Sequence, residues 1–492
     1  MSLDHDDDLM NRLSSTSKYD DTAKTDSDKK LEKLLNDKQD LMVKQNKQYL
    51  EELFHQNNTK PVKIRNVQIT NSQDFRDAFL LAQFDPLINS NRPITLAKLL
   101  SEIETISKSF IKLNVVENLL VSLQPVQSTY WGQSSSKILT LVPVFNVVPV
   151  KKFYAKTGTN IGNGEGDGYI QFQLRNLFGG GENLTFDAVS GTKTSSSYLL
   201  NYNQPVFNNA NFIVENSLYM NTRKFDWINS NVHLKGMTTK LYTQFDKTRS
   251  NINHDISFEN CWKILDNQSS KADDVLAQAG SNFKSSVIYN WTYDTRNNQH
   301  LPTAGKFLRL GFEYNGLAKY SKTPFVKSIF ESEVSFPVSN HSIIVSNKGG
   351  VLFPFSSTSY ILDRFFIGGP NDVRSFTLNG LGPKNYNSSV GGDVFLNGGV
   401  SLVSPIPFLK NNLESGFRIH NFVNFGKLVP LDGGIRSTMS QFTRQYSVSY
   451  GIGILFNHPM ARFELNFVLP LAVHDRDYMR KGLQYGIGVS FL

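Results

Sequence analysis

The chain has 492 residues, 39% of them apolar, with a mean hydropathy of −0.30 and a formal charge of +8. No run approaches the about 18 apolar residues that a spanning helix needs, which excludes a helical membrane protein but not a barrel, whose inward residues are polar. Cys261 is the only cysteine, which excludes an intrachain disulfide and a four-cysteine metal site; its plainest reading is an ordinary strand residue.

The opening MSLDHDDDLM is acidic and has no apolar core, so it reads as neither a secretory signal nor an Arg-rich cleavable transit peptide. An organelle address would then lie within the mature sequence. Residues 1–40 carry 7 Lys+Arg against 11 Asp+Glu, a net of −4, which leaves +12 for the rest. Those basic residues are spread singly through strand-like segments, a pattern that favours lumen and rim charge over nucleic-acid binding. Residues 1–59 read as an acidic, disordered tail, with a short amphipathic helix over 31–54 as the competing reading.

Residues 60–150 change character. Val62, Ile64, Val67 and Ile69 suggest a strand. Ser72 is placed to cap a short helix carrying Phe75, Phe79, Leu80 and Phe84, and Thr95 a longer one carrying Leu96, Leu99, Leu100, Ile103, Ile106 and Phe110. Two strands follow, near 115–123 and 138–148. The order β-α-α-β-β predicts a small α+β domain with both helices on one face of a three-stranded sheet.

From Lys151 onward sixteen strand candidates recur: 153–162, 169–177, 183–192, 195–202, 211–220, 238–245, 254–265, 283–294, 305–314, 326–336, 342–353, 393–405, 416–426, 446–456, 461–469 and 481–492. Many are about 10 residues long, enough for a tilted strand to cross a bilayer. A further piece at 228–235 is assigned to a loop or to the strand that follows it, which keeps the even parity usual for such barrels. Phe463, Leu465 and Phe467 alternate with Arg462, Glu464 and Asn466. In the last twelve residues Leu483, Tyr485, Ile487, Val489 and Phe491 share one face, and Gln484, Gly486, Gly488 and Ser490 the other. The aromatic content, 36 Phe and 19 Tyr, suits an apolar exterior with interfacial girdles. Gly179, Gly180 and Gly181 read as a hairpin turn. Residues 360–390, rich in Gly, Pro and Asn, form a long loop of the functional kind. The fold class is therefore an all-β transmembrane barrel of about 16 antiparallel strands over 151–492, preceded by the α+β domain.

Four blocks carry a resemblance: AKTGTNIGN (155–163), GGPNDVRSF (368–376), GLGP (380–383) and HPMARFELNF (458–467). Together they closely resemble the barrel subunits of the mitochondrial sorting and assembly machinery (SAM/TOB), fungal type, in the superfamily of the bacterial barrel-assembly protein BamA. The resemblance covers residues 60–492. It implies one POTRA domain in the intermembrane space, as client receptor or spacer, and a barrel in the mitochondrial outer membrane. It implies a chain that inserts β-barrel precursors, such as porin and the outer-membrane import pore, with no nucleotide and no covalent catalysis; no cofactor, metal or nucleic-acid partner is expected. Its implied partners, beyond the lipid bilayer, are two peripheral cytosolic metaxin-like subunits and inner-membrane organising complexes.

That task requires a lateral gate between first and last strands. A strand entering lipid must have its backbone groups paired, so a template edge has to open to receive it. Ala155, Thr157, Gly158, Thr159, Asn160 and Gly162 are assigned to the first-strand edge, and Gln484, Gly486, Gly488, Val489 and Phe491 to the last. Glycines loosen a strand; they also relieve crowding or bend a wall. The last strand resembles the signal that such machines read in clients, a polar residue, a glycine and two alternate hydrophobics, at Gln484, Gly486, Val489 and Phe491. The loop motif falls on Val373, Arg374, Ser375 and Phe376, with Ser375 where the family has glycine. Its wall partner is Asn424, in the Phe422-x-Asn424-x-Gly426 segment where the superfamily has Asp, or the inward Glu464.

An enzyme finds little support. The nine His are scattered, and there is no H-E-x-x-H or G-x-S-x-G. The rivals are a passive outer-membrane pore, a protein-translocating channel of the same superfamily and, remotely, a soluble β-sandwich.

Overall fold

The computed structural model describes residues 56–89, 92–126, 138–162, 165–247, 249–267, 269–407, 416–431, 434–458 and 462–488, with scattered positions between 38 and 54. Most of the acidic tail therefore lies outside the described residues. Two compact units emerge. One comprises the chain up to Gln68 with Pro86–Thr105 and Val121–Phe145; the other comprises Ile69–Asp85, Ile106–Leu120 and Asn146–Leu492.

The N-terminal elements are β1 (Pro61–Ile64), β2 (Gln68–Thr70), α1 (Asp77–Ile88), β3 (Ile94–Thr95), α2 (Leu96–Lys112), β4 (Val116–Pro125) and β5 (Leu139–Pro149). They give a mixed five-stranded sheet, ordered β2-β5-β1-β3 with β4 also on β5. The three-stranded expectation falls short: the single first strand expected through Val62, Ile64, Val67 and Ile69 is two strands, β1 and β2, and β3, only two residues long, was missed because it is too short to leave a periodic signal. Thr95 does cap α2, its hydroxyl accepting from the Lys98 N–H at 3.3 Å. Ser72 does not cap α1, which starts at Asp77; the Ser72 carbonyl instead accepts from the Phe75 N–H in a preceding turn. Phe75, Phe79, Phe84 and Phe110 cluster with ring centroids 5.7–6.0 Å apart.

The remainder is one antiparallel sheet of sixteen strands. Its first half is β6 (Phe153–Gly162), β7 (Glu165–Arg175), β8 (Asn183–Gly191), β9 (Thr194–Val206), β10 (Asn209–Phe225), β11 (Ser230–Thr243), β12 (Ile252–Asp266) and β13 (Gly280–Asp294). Then come β14 (Gly305–Asn315), β15 (Phe325–Val338), β16 (His341–Pro354), β19 (Val394–Pro405), β20 (Phe417–Val429), β21 (Ser447–Asn457), β22 (Arg462–Ala472) and β23 (Gly482–Gly488). Two-residue strands β17 (Lys384–Asn385) and β18 (Ser388–Ser389) pair inside the long loop, and α3 (Asp273–Ala277) and α4 (Ile435–Phe442) are short loop helices. Each sequence-predicted strand has its counterpart, and the 228–235 piece runs into β11 as one strand.

Neighbours in the sheet are neighbours in sequence, with β16 paired directly to β19. Residues 355–393 thus leave and return on adjacent strands. Alternation sorts the two faces. On β22, Arg462, Glu464 and Asn466 are buried, while Phe463, Leu465 and Phe467 are exposed. The inner face is filled by the loop, whose Phe365, Ile367, Val373, Phe376 and Leu381 share one apolar cluster with wall residues Phe325, Leu352, Phe395 and Leu428. No helix among the described residues is long and apolar enough to cross a membrane.

Candidate functional site

Arg374 is fully enclosed on the inner face of the sheet. Its Nε and Nη2 donate to Glu464 Oε2 at 3.1 and 2.8 Å, and its Nη1 donates to Asn424 Oδ1 at 3.0 Å. Both wall partners considered from the sequence are therefore used together. The guanidinium lies over the Phe422 ring, 4.5 Å from its centroid. Burial lowers the Arg374 pKa from its ordinary value, and the Glu464 carboxylate opposes the shift. Glu464 is held in turn by Arg462 and by the Asn466 side-chain amide, which donates at 2.7 Å. Arg462 and Asn466 went unassigned in the sequence, although their alternation with Phe463 and Phe467 puts them on the face of Glu464.

Gly426 lets the loop approach the wall. A Cβ there would stand 2.7 Å from Val373 Cγ2. Ser375 adopts φ +74°, in the left-handed region that favours glycine, so the serine holds this conformation at a cost in strain.

The loop motif is also tied to the last strand. The Ser375 N–H donates to Gln484 Oε1 at 3.1 Å, and Gln484 Nε2 donates to the Arg480 carbonyl at 3.2 Å. The Arg480 N–H returns to the Ser375 carbonyl at 2.8 Å, Phe376 bridges Met479, and the Thr377 N–H donates to the Tyr478 carbonyl at 2.9 Å. Gln484 and Gly486 are buried, while Leu483 and Tyr485 face outward. This pairing of 375–377 with 478–480 leaves no local signal, because it joins segments a hundred residues apart. A second anchor was equally silent: Asp363 in the loop pairs with Lys263 of β12, and Lys327 of β15 donates to the Asp363 carbonyl at 2.8 Å.

The order of the sheet has two ends, β6 and β23, and no pairing joins them among the described residues. Phe153–Thr157 and Thr159 are exposed on both faces of β6, with Gly158 half-buried. Ala155 pairs with Phe172 and Thr157 with Ile170 on β7, so the other edge of β6 is the one left over. Gly158 sits directly opposite Tyr169, and a Cβ there would meet that ring at 2.7–2.9 Å. Room for the tyrosine side chain is one use of this glycine. Asn160, Gly162 and Gly488 are described as strand backbone only; Val489 and Phe491 lie outside the described residues. Among the described residues no group of His, Cys, Asp and Glu could hold a metal ion.

The model of the Omp85 superfamily domain matches residues 176–491. The Sorting assembly machinery 50 kDa subunit of Saccharomyces cerevisiae is 30% identical over 89% of this chain and 96% of its own length. A SAM50-like protein of Schizosaccharomyces pombe is 28% identical, with 93% and 97% covered. A crystal structure of BamA from Haemophilus ducreyi lacking POTRA domains 1-3 shares the fold at 14% identity, with a TM-score of 0.68 over 87% of this chain and 84% of that one.

Proposed function

The chain belongs to the Omp85 superfamily, among the barrel subunits of the SAM50 and BamA type, and from that premise we propose that it folds and inserts β-barrel precursors into the mitochondrial outer membrane. It is an outer-membrane β-barrel. The observation that carries the reading is the position of β6 and β23 as the two ends of the sheet order, with β6 paired only to β7 among the described residues and exposed on both faces. Each backbone group left unpaired in hydrocarbon costs several kcal/mol. An edge that lends its N–H and C=O groups to an entering strand removes that cost at the moment of insertion.

In this reading β23 shields the edge at rest, and a client's C-terminal signal replaces it on Ala155, Thr157, Gly158, Thr159, Asn160 and Gly162. The fit of Gln484, Gly486, Val489 and Phe491 to such a signal supports the exchange. Displacing β23 also breaks the tie from Gln484 to Ser375, so the lumen loop senses the occupant of the edge. Arg374, held by Glu464 and Asn424, keeps the loop on the wall while this happens. Residues 60–150 act as a POTRA domain in the intermembrane space. The chain works within a complex, with peripheral cytosolic subunits of metaxin type and inner-membrane organising complexes as neighbours. A passive pore is disfavoured because the loop packs its apolar residues against the inner wall.

The test is crosslinking in the full chain carrying Cys261→Ser and either Thr157→Cys or Thr159→Cys, against precursors with one cysteine in the signal strand. Yield should rise with signal strength. Equal yield from a scrambled signal would reject the exchange.

A further inference from the structure

The loop between β13 and β14, residues 295–304, enters β14, whereas the lumen loop leaves β16, which runs the same way; the two loops lie at opposite ends of the sheet. The neck of the β13–β14 loop is fixed. Arg296 Nε and Nη2 donate to the Asp294 carboxylate at 3.1 Å, and its Nη1 donates to Glu333 Oε1 of β15 at 2.9 Å. Its guanidinium stands 4.2 Å from the ring centroid of Phe307 on β14. Asn297 ties the two arms, its Nδ2 donating to Thr303 Oγ1 at 2.7 Å and its Oδ1 accepting from the Thr303 N–H at 3.1 Å. Asn298 Oδ1 then accepts from the His300 and Leu301 N–H groups at 2.8 and 3.1 Å. An asparagine bonded to the backbone two and three residues on makes a self-supported turn. Its tip carries Leu301 and Pro302, both buried.

Leu301 shares an apolar cluster with Ile344 of β16, Val403 of β19 and Leu455 of β21. The register tells what lies beneath it. β20 runs between β19 and β21, so a side chain packed on both passes over β20. There Val403 is directly opposite His420, and Leu455 is opposite Arg418, the next inward position. Leu455 is also directly opposite Glu464 on β22. Leu301 thus bridges the wall at the level of His420, beside the enclosed charges. The His420 side chain has no exposed surface, and its Nδ1 is 3.9 Å from Glu464 Oε1. Its ring centroid is 4.7 Å from that of Phe422, the ring that carries the Arg374 guanidinium.

We propose that Leu301 is a positioning residue for the lumen-loop motif: the β13–β14 loop is a lid that shuts the pocket of Arg374, Glu464 and His420 off from water. Attraction between Arg374 and Glu464 is stronger in a dry pocket than in a wet one, so the lid tightens the hold of the lumen loop from the opposite end of the sheet. Leu301 brings no polar side-chain atom, and exclusion of water is its whole contribution. The inference rests on the geometry of the Arg374 pocket and is independent of how clients are inserted.

His420 provides the readout. The full chain, folded in detergent micelles, is treated with diethyl pyrocarbonate, and modification of each histidine is followed by peptide mass spectrometry. His420 should react slowly in the unaltered chain and in Leu301→Met, and about tenfold faster in Leu301→Ser, where the burial of one leucine side chain is lost. His254 and His341, both exposed, should react alike in all three, which separates an opened lid from general unfolding. Phe207→Ser, at the exposed tip of the β9–β10 turn on the same end of the sheet, should leave His420 protected. A second measurement compares the urea midpoints of Leu301→Ala, Arg374→Ala and the double variant. The double variant should shift by less than the sum of the single shifts, because the lid has less to protect once Arg374 is gone. Slow reaction of His420 in Leu301→Ser, equal acceleration by Phe207→Ser, or midpoint shifts that simply add would overturn the proposal.

Discussion

Arg374, Arg462 and Glu464 bring two cations and one anion together out of water, and that imbalance ranks the substitutions. Arg374→Ala leaves Glu464 paired with Arg462 and removes the bonds to Asn424 and the packing on Phe422, at about 3 kcal/mol. Glu464→Gln leaves two enclosed cations without their carboxylate and should cost more, up to about 5 kcal/mol. Asn424→Asp adds the missing anion 3.0 Å from Arg374 and should stabilise the loop. Urea midpoints of the folded chain on semi-native gels check the order; a milder effect of Glu464→Gln than of Arg374→Ala would contradict it. Ser375 is a separate case. At φ +74° a non-glycine residue is strained, so Ser375→Gly should stabilise the chain by about 1 kcal/mol, read as a higher urea midpoint, and Ser375→Val should lower the midpoint.

Between elements, the loop and the last strand are joined through Gln484. Replacing it in Gln484→Leu strips the Ser375 N–H of a buried acceptor, worth about 1–3 kcal/mol. Amide exchange should then accelerate over Gly482–Gly486 and over 375–380 together, while β10–β13 stay protected. Unchanged exchange in both segments would show that the tie is idle. The sequence made the strands themselves legible, because period-two alternation over ten residues needs no partner to be seen. Phe463, Leu465 and Phe467 on β22 are an instance. It also placed Arg374, Asn424 and Glu464 in the motif and on the wall. What stayed hidden depends on register. Gly158 is assigned to the gate edge from its strand alone, and its contact with the Tyr169 side chain appears only with the partner across the ladder. The pairing of 375–377 with 478–480 and the ion pair of Asp363 with Lys263 arise only once the loop has folded back. The strand at Ile94–Thr95 was invisible because two residues carry no period, and Gln68–Thr70 was merged with Pro61–Ile64 because the break between them leaves the apolar pattern unbroken.

For the molecule as a whole, the described pairings run through sixteen antiparallel strands from β6 to β23, and the proposed work takes place at those two strands. The wall elsewhere is continuous, its inner side filled by an anchored loop and its outer side apolar. Among the described residues β6 and β23 each have a single ladder partner, so we expect the sheet to open there first. The most direct measurement joins these strands covalently. In the Cys261→Ser background, one cysteine is placed in Phe153–Gly162 and one in Gly482–Gly488, and disulfide-forming pairs are selected by scanning. The reconstituted chain is assayed for insertion of a β-barrel precursor before and after reduction. Oxidised protein should fold no client, and reduction should restore insertion to the level of the cysteine-free chain. Equal insertion by the oxidised and reduced forms would mean that clients enter by some route other than the opening between the first and last strands.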